Sequence, residues 1–160
     1  MNRIWIAAAL AILAIPPAFA KDQRAEKCKA IVRRVFTEIL SQGKFEITTE
    51  IYASDYVIHG TAQDLALAAS QANDRGWRSA FPDIDMSVEK VIAEGGLVTV
   101  LWRGRGTNTG SGNGLNATGR KVDGRGISIF RVVDGKIEEE WTEYSALVIL
   151  RQLGFYPGQR

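Results

Sequence analysis

The sequence predicts an α+β domain in which helices come first and an antiparallel sheet follows. Apolar residues recur at three- and four-residue steps between Asp22 and Gln42, as they do along one face of a helix. Beyond Phe81-Pro82-Asp83 the pattern changes to β-branched and aromatic runs separated by glycine turns, which is typical of strands. We therefore expect the helices to cover one face of a curved sheet.

The first 20 residues are expected to be an export signal. Arg3 precedes the apolar run Ile4 to Ile15, and Ala18-Phe19-Ala20 places small residues where signal peptidase reads the chain. The run is shorter than the about 20 residues of a membrane-spanning helix. We expect cleavage after Ala20 and a periplasmic or secreted mature chain, residues 21–160, that forms one domain with no membrane segment. The alternative is an uncleaved N-terminal anchor.

Helical segments are predicted before the strands. The first spans residues 22–42 and ends at Gly43, and the second spans residues 45–52. The third runs from residue 62 or 63 to Ala80, because Pro82 pushes the residue before it out of helical backbone. A short extended segment, residues 56–59, separates the second helix from the third.

Four strands are predicted in the second half, at residues 84–93, 97–107, 122–133 and 137–145. Asp134-Gly135 tolerates the positive φ of a two-residue hairpin turn, so the last two strands should pair antiparallel. The glycine-rich segment 108–119 is expected to be a mobile flap. It lacks the Gly-Lys-Ser/Thr ending of a phosphate-binding loop. A short helix over residues 147–153 completes the chain.

Charge and cysteine content limit the possible partners. The chain has 20 basic and 18 acidic side chains, a balance that gives no electrostatic reason to expect nucleic acid or an anionic membrane surface. Cys28 is the single cysteine, so no internal disulfide is possible. We expect a small molecule as partner, and neither a metal nor a cofactor.

A series of short motifs follows one order along most of the chain: Phe81-Pro82-Asp83, Gly106-Thr107 with Gly110, Thr118-Gly119-Arg120, Gly126-Ile127 with Phe130-Arg131, Asp134-Gly135-Lys136-Ile137, Glu140-Trp141 and Gln152-Leu153-Gly154. With these motifs the chain resembles the SnoaL-like polyketide and ester cyclases, within the nuclear transport factor 2-like superfold. The resemblance implies a cone-shaped curved antiparallel sheet wrapped around N-terminal helices. It also implies a hydrophobic ligand inside the cone and a homodimer.

The resemblance also reveals departures from the family pattern. Polyketide cyclases that close a ring by aldol condensation carry a histidine where this chain has Ser128 and a catalytic aspartate where it has Thr142. Hydroxyl groups do not titrate near neutral pH, so we do not expect that aldol mechanism in its known form. A further position, usually histidine in the ester cyclase branch, is Asn108 here.

Glu140 and His59 are the predicted proton carriers. If the family orientation holds, strand parity places Glu140 inside the cone, where burial raises the pKa of a carboxyl. The alternative for Glu140 is a structural ion pair with Arg125 or Arg103. His59 is the single histidine of the chain and a possible proton shuttle near pH 7; its alternative is a hydrogen-bonded structural role.

The predicted ligand-binding residues are the side chains expected to line the cone: Trp77, Phe81, Trp102, Asn108, Ser128, Phe130, Thr142 and Tyr144. Packing in the core is the alternative for the aromatic members. The predicted function is binding of a small hydrophobic molecule, with cofactor-independent acid–base cyclisation, isomerisation or lyase chemistry. The alternative is a non-catalytic small-molecule-binding or protein-interaction module, which the loss of the usual histidine and aspartate favours.

Overall fold

The structure is a computed structural model that describes residues 17–60 and 63–155. Its helices are α1 (Pro17–Arg34), α2 (Thr48–Ile51), α3 (Leu67–Ala80) and α4 (Ala146–Leu153). Its strands are β1 (Tyr52–His59), β2 (Leu65–Ala66), β3 (Asp85–Glu94), β4 (Leu97–Thr107), β5 (Lys121–Val133) and β6 (Lys136–Tyr144). The predicted α+β class is confirmed, with the helices and one curved sheet forming a cone.

The helices begin and end close to the predicted positions, with two differences. The predicted first helix is α1 followed by a π-helical turn, Val35–Leu40, and the chain leaves it at Gly43, whose φ is +72°. The start of α3 was predicted too early. Residues 65–66 instead form β2 and pair with β1, so their backbone hydrogen bonds go to the sheet.

The strands form one sheet in the order β2-β1-β6-β5-β4-β3. The β5–β6 hairpin turns at Asp134 and Gly135, with φ of +47° and +81°, as predicted for a two-residue turn. The sheet is antiparallel, as expected, except at one pair, because β1 runs parallel to β6. A parallel pair requires a crossover, and α3 with the β3–β4–β5 strands supplies it.

The narrow end of the cone is filled by apolar side chains. Val32, Phe36 and Ile39 from the first helical segment are almost fully buried against Val98 and Phe130 of the sheet. Phe36 and Phe130 meet edge to face, with ring centroids 6.0 Å apart. This packing fixes the helices on the concave side of the sheet. Among the described helices, none is long and apolar enough to cross a membrane.

Candidate active site

A cavity of about 240 Å³ lies between the concave face of the sheet and the helices. Strand register decides which side chains face it. Across β5 and β6, Ser128 lies opposite Thr142 and Phe130 lies opposite Glu140, and all four line the cavity. The pleat turns alternate residues to opposite faces, so this face of both strands forms one wall.

Aromatic rings form most of the remaining wall. Trp77 and Phe81 of α3, Trp102 of β4 and Tyr144 of β6 all line the cavity. Tyr144 lies between the two indoles, with centroid distances of 6.4 Å to Trp77 and 6.1 Å to Trp102. Trp77 stacks on Phe81 at 6.0 Å. The cavity is therefore suited to a largely apolar ligand.

A chain of hydrogen bonds crosses the cavity wall and ends at Glu140. The indole of Trp102 donates from Nε1 to Ser128 Oγ at 2.9 Å. Ser128 Oγ and Thr142 Oγ1 are 2.6 Å apart, and Thr142 donates to Glu140 Oε1 at 2.6 Å. Because an indole N–H only donates and Thr142 spends its proton on Glu140, Ser128 must donate to Thr142. All three donors thus point toward the carboxylate.

Glu140 is a half-buried carboxylate held by hydroxyl groups. Tyr56 donates to Glu140 Oε2 at 2.7 Å, opposite the bond from Thr142. Burial raises the pKa of Glu140 above its ordinary value, although the bonds from Thr142 and Tyr56 act in the lowering direction. The alternative of an arginine pair is wrong, because Arg103 binds Asp123 and Arg125 binds Glu89.

Gly126 allows the indole of Trp102 to reach Ser128. A Cβ at this position would overlap the Trp102 ring and approach the Glu143 carbonyl oxygen at 2.7 Å. Gly126 lies directly between Trp102 and Tyr144 in the register of β4, β5 and β6. A glycine at this position therefore leaves space for the indole that begins the hydrogen-bond chain.

Asp74 is a second carboxylate of the cavity, and our sequence reasoning missed it. It lines the cavity from α3. Burial, followed by the charge of Glu140, raises the pKa of Asp74 to about 7. Within the residues that the structure describes, Asp74 has no salt-bridge partner. Its spacing from Trp77 and Arg78, three and four residues along a helix, was the available signal that it shares their face.

Two tyrosines complete the acidic end of the cavity. Tyr52, which is 6% exposed, lines the cavity, and its ring meets that of Tyr56 at 4.7 Å. Burial and then the charge of Glu140 raise the pKa of both phenols above their ordinary value. Both therefore keep their protons at neutral pH, and Tyr56 donates its proton to Glu140.

His59 does not line the cavity, contrary to the expectation that it borders the ligand. The neighbouring residue Ile58 does. The His59 ring stacks on Trp141 with centroids 4.7 Å apart, and its nitrogens lie 3.2 Å from Asp64 and 3.3 Å from Glu139. These contacts are on the outer face of the sheet, because Glu139 and Trp141 flank the inward Glu140 along β6.

The comparisons with known proteins agree with this geometry. The sequence pattern of the SnoaL-like polyketide cyclases matches residues 30–153, which covers the end of the first helical segment, the whole sheet and α4. The chain belongs to the SnoaL-like polyketide cyclase family. A comparison with curated proteins found no match.

Solved structures similar to this SnoaL-like domain share its fold. AclR, a putative hydroxylase from Streptomyces galilaeus, is 23% identical with a TM-score of 0.77, over 85% of this chain and 86% of that one. A putative SnoaL-like polyketide cyclase from Jannaschia is 22% identical with a TM-score of 0.75, over 83% and 95%. IdmH, a putative polyketide cyclase from Streptomyces antibioticus, is 28% identical with a TM-score of 0.70, over 79% and 98%.

Asn108 of the SnoaL-like domain lies outside the cavity wall and fastens a loop. Its side chain is fully buried and donates to the carbonyl oxygens of Ala80 and Gly110, both at 3.0 Å. Its Oδ1 accepts from the backbone and hydroxyl of Thr118. Asn113 binds the carbonyl of Asn73 on α3 at 2.9 Å. The segment predicted as a mobile flap is thus tied to α3.

Replacing Asn108 with alanine should lower the free energy of unfolding by about 1 to 3 kcal/mol, because buried polar partners would lose their bonds. Urea unfolding measures this change. Asn113→Gly is the control, since the bond of Asn113 is exposed and glycine accepts its φ of +49°, and it should cost less. Equal losses in both variants would contradict the assigned role of Asn108.

Proposed function

We propose that the cavity binds a small, largely apolar molecule and transfers a proton from and to one of its carbon atoms. This step is common to cofactor-independent isomerisation and to ring closure. The observation that carries the proposal is a carboxyl with a pKa of about 7, that of Asp74, inside an apolar cavity beside Glu140. A general base works best when its pKa lies near the operating pH.

The residues have distinct roles in the proposed step. Asp74 accepts the proton of an acidic C–H bond, and the electron pair moves onto the neighbouring carbonyl oxygen of the substrate as an enolate. Tyr52, whose raised pKa keeps its proton in place, is the candidate donor to that oxygen. Protonated Asp74 then returns the proton to another carbon, which gives the isomer. In the ring-closing alternative the enolate carbon attacks a second carbonyl carbon, the C=O π electrons move onto its oxygen, and protonated Asp74 gives its proton to the resulting alkoxide.

Glu140 acts on Asp74 through its charge, and the hydrogen-bond chain holds Glu140 in place. Its charge raises the pKa of Asp74. The residues Ser128 and Thr142, which stand where other family members carry histidine and aspartate, orient Glu140 rather than titrate. With Ser128 and Thr142 in these positions, the proposed base is Asp74, which lines the same cavity.

Solvent exchange tests this function without knowledge of the natural substrate. The protein is incubated in D₂O with β-tetralone or phenylacetone, and proton NMR follows deuterium entry at the acidic carbon. We expect catalysed exchange by the wild-type chain and by Glu139→Gln, whose carboxylate faces outward. Asp74→Asn should lose it. Absence of exchange by the wild-type chain would contradict the proposal.

The second candidate function is a non-catalytic binding module. The observation in its favour is the replacement of the family histidine and aspartate by Ser128 and Thr142. Native purification followed by mass spectrometry of any bound small molecule separates the candidates when it is combined with the exchange assay. A retained ligand with no exchange activity would favour the binding module.

His59 has no part in the proposed proton transfer. Because its ring contacts Asp64, Glu139 and Trp141 on the outer face, His59→Ala should change the exchange rate less than about twofold, which lies within the small effect expected of a remote residue. The rate is measured by the same NMR assay. An exchange rate lowered tenfold or more would show that His59 takes part in the proton transfer.

We also propose that the chain is exported and cleaved after Ala20. The support is the N-terminal sequence, with Arg3 ahead of an apolar run and Ala18-Phe19-Ala20 after it. Edman sequencing of the protein from a periplasmic fraction should read Lys21 first. An N-terminus upstream of residue 21 would contradict cleavage at this site.

We also propose that two copies pair through the outer face of the sheet. Ile92, Ile127 and Ile129 are 69%, 50% and 37% exposed there, and such apolar area favours association. Light scattering of Ile127→Asp against the wild-type chain measures the change. A monomeric wild-type chain would refute the pairing.

A further inference from the structure

We propose that the cavity selects ligands that carry a protonated nitrogen on an apolar body. This inference rests on the proposed ligand-binding function of the same cavity and adds the charge of the ligand to it. The evidence is a pair of carboxylates without counter-ions, set among aromatic rings.

The charged side chains that line the cavity are Asp74, Glu140, Arg78 and Arg105. The Arg78 guanidinium donates from Nη1 to the carbonyl oxygens of Leu40 at 2.9 Å and Ser41 at 2.6 Å. Arg105 is half exposed and contacts Asp123. Neither arginine forms a salt bridge with Asp74 or Glu140 in the described part of the chain. The two carboxyl groups therefore have no ion-pair partner among these cavity residues, while the Arg78 guanidinium is directed at backbone carbonyl oxygens.

The walls next to these carboxylates favour a cation as well. Trp77 follows Asp74 by three residues on α3 and lies on the same side of the helix. Trp77, Tyr144 and Trp102 form consecutive contacts around the cavity. Aromatic faces attract cations and repel anions. A protonated amine would thus gain from the rings and from the carboxylates, whereas a carboxylate ligand would be disfavoured by both.

Ligand charge and the protonation of Asp74 are coupled. The ionisable groups that line the cavity with Asp74 are Glu140, Tyr52, Tyr144, Arg105 and, on its own helix, Arg78. Burial and the Glu140 charge hold the pKa of Asp74 at about 7. A bound cation stabilises the ionised form, so it lowers that pKa and displaces the proton. Affinity for an amine should therefore rise between pH 6 and pH 8.

Calorimetry with three probes of matched shape tests the inference. Tryptamine, tryptophol and indole-3-propionate share an indole body and differ in charge. At pH 7 we expect tryptamine to bind about tenfold or more tighter than tryptophol, with no detectable binding of indole-3-propionate. Titrations in two buffers of different ionisation heat should show release of about half a proton per bound tryptamine.

Variants assign the selectivity to the carboxylates. Asp74→Asn should reduce the preference for tryptamine and abolish its proton release, while Glu139→Gln, on the outer face of the same sheet, should change neither. Absence of tryptamine binding, equal binding of tryptophol, or binding without proton release would overturn the inference. The proposed function is tested separately, since deuterium exchange into a neutral ketone probe requires no charge on the ligand.

Discussion

Asp74→Asn is expected to lower the rate of carbon-acid proton exchange by about 10²- to 10⁴-fold, the usual contribution of a general base. Asparagine keeps the size of the side chain but cannot accept the proton. In the wild-type chain the rate should rise with pH and level off above about 7, because the ionised form of Asp74 is the base and its pKa is about 7. The variant should lose this rise.

The pH dependence separates a chemical role of Asp74 from a structural one. A variant that merely distorts the cavity would lower the rate and keep the pH profile. Glu140→Gln provides a further check, because removal of its charge should shift the midpoint of the wild-type profile to lower pH. A wild-type profile that is flat between pH 5 and pH 9 would contradict Asp74 as the base.

Asp74→Asn is also expected to stabilise the fold relative to the wild-type chain as the pH rises. Folding raises the pKa of Asp74 from 3.8 to about 7, so the native state binds this proton more tightly than the unfolded state. The bound proton of Asp74 therefore contributes fully to the free energy of unfolding of the wild-type chain below pH 3.8. This contribution is lost as the pH rises through 7. At about 1.4 kcal/mol per pKa unit, the loss is about 4 kcal/mol.

Urea unfolding of both proteins at a series of pH values measures this difference. The free energy of unfolding of the variant minus that of the wild type should increase by about 4 kcal/mol from pH 4 to pH 8. The constant cost of burying an amide cancels in this comparison, as do the carboxylates that do not interact with Asp74. A difference that does not change with pH would show that Asp74 is an ordinary surface carboxylate.

Local sequence signals predicted the frame of the fold well. Asp134-Gly135 predicted the hairpin, and Gly43 and Pro82 predicted helix ends, because each rests on backbone preferences of a few residues. The parallel pairing of β1 with β6 was not predictable in this way. It joins segments about 80 residues apart, and only the closed cone brings them together.

The same contrast between local and long-range signals applies to the predicted site residues. Parity along β5 and β6 placed Ser128, Thr142 and Glu140 on one face, and their register agrees. His59 was predicted from its residue type alone. The pairing of β1 with β6, which sets Ile58 opposite Glu140 and His59 opposite Trp141, joins distant segments and gives no local signal. Asp74 was missed because the pKa shift arises from burial under distant strands and from the charge of Glu140.

We expect Asp74 to be a carboxyl group that titrates near neutral pH inside the cavity. Carbon-detected NMR of the side-chain carboxyl groups, recorded from pH 4 to pH 9 on the wild-type chain and on Asp74→Asn, tests it directly. We expect one carboxyl resonance with a titration midpoint near pH 7, and this resonance should be missing from the variant. If the Asp74 resonance titrates near its ordinary pKa of 3.8, Asp74 is ionised throughout this pH range, and the proposal that it titrates near neutral pH is wrong.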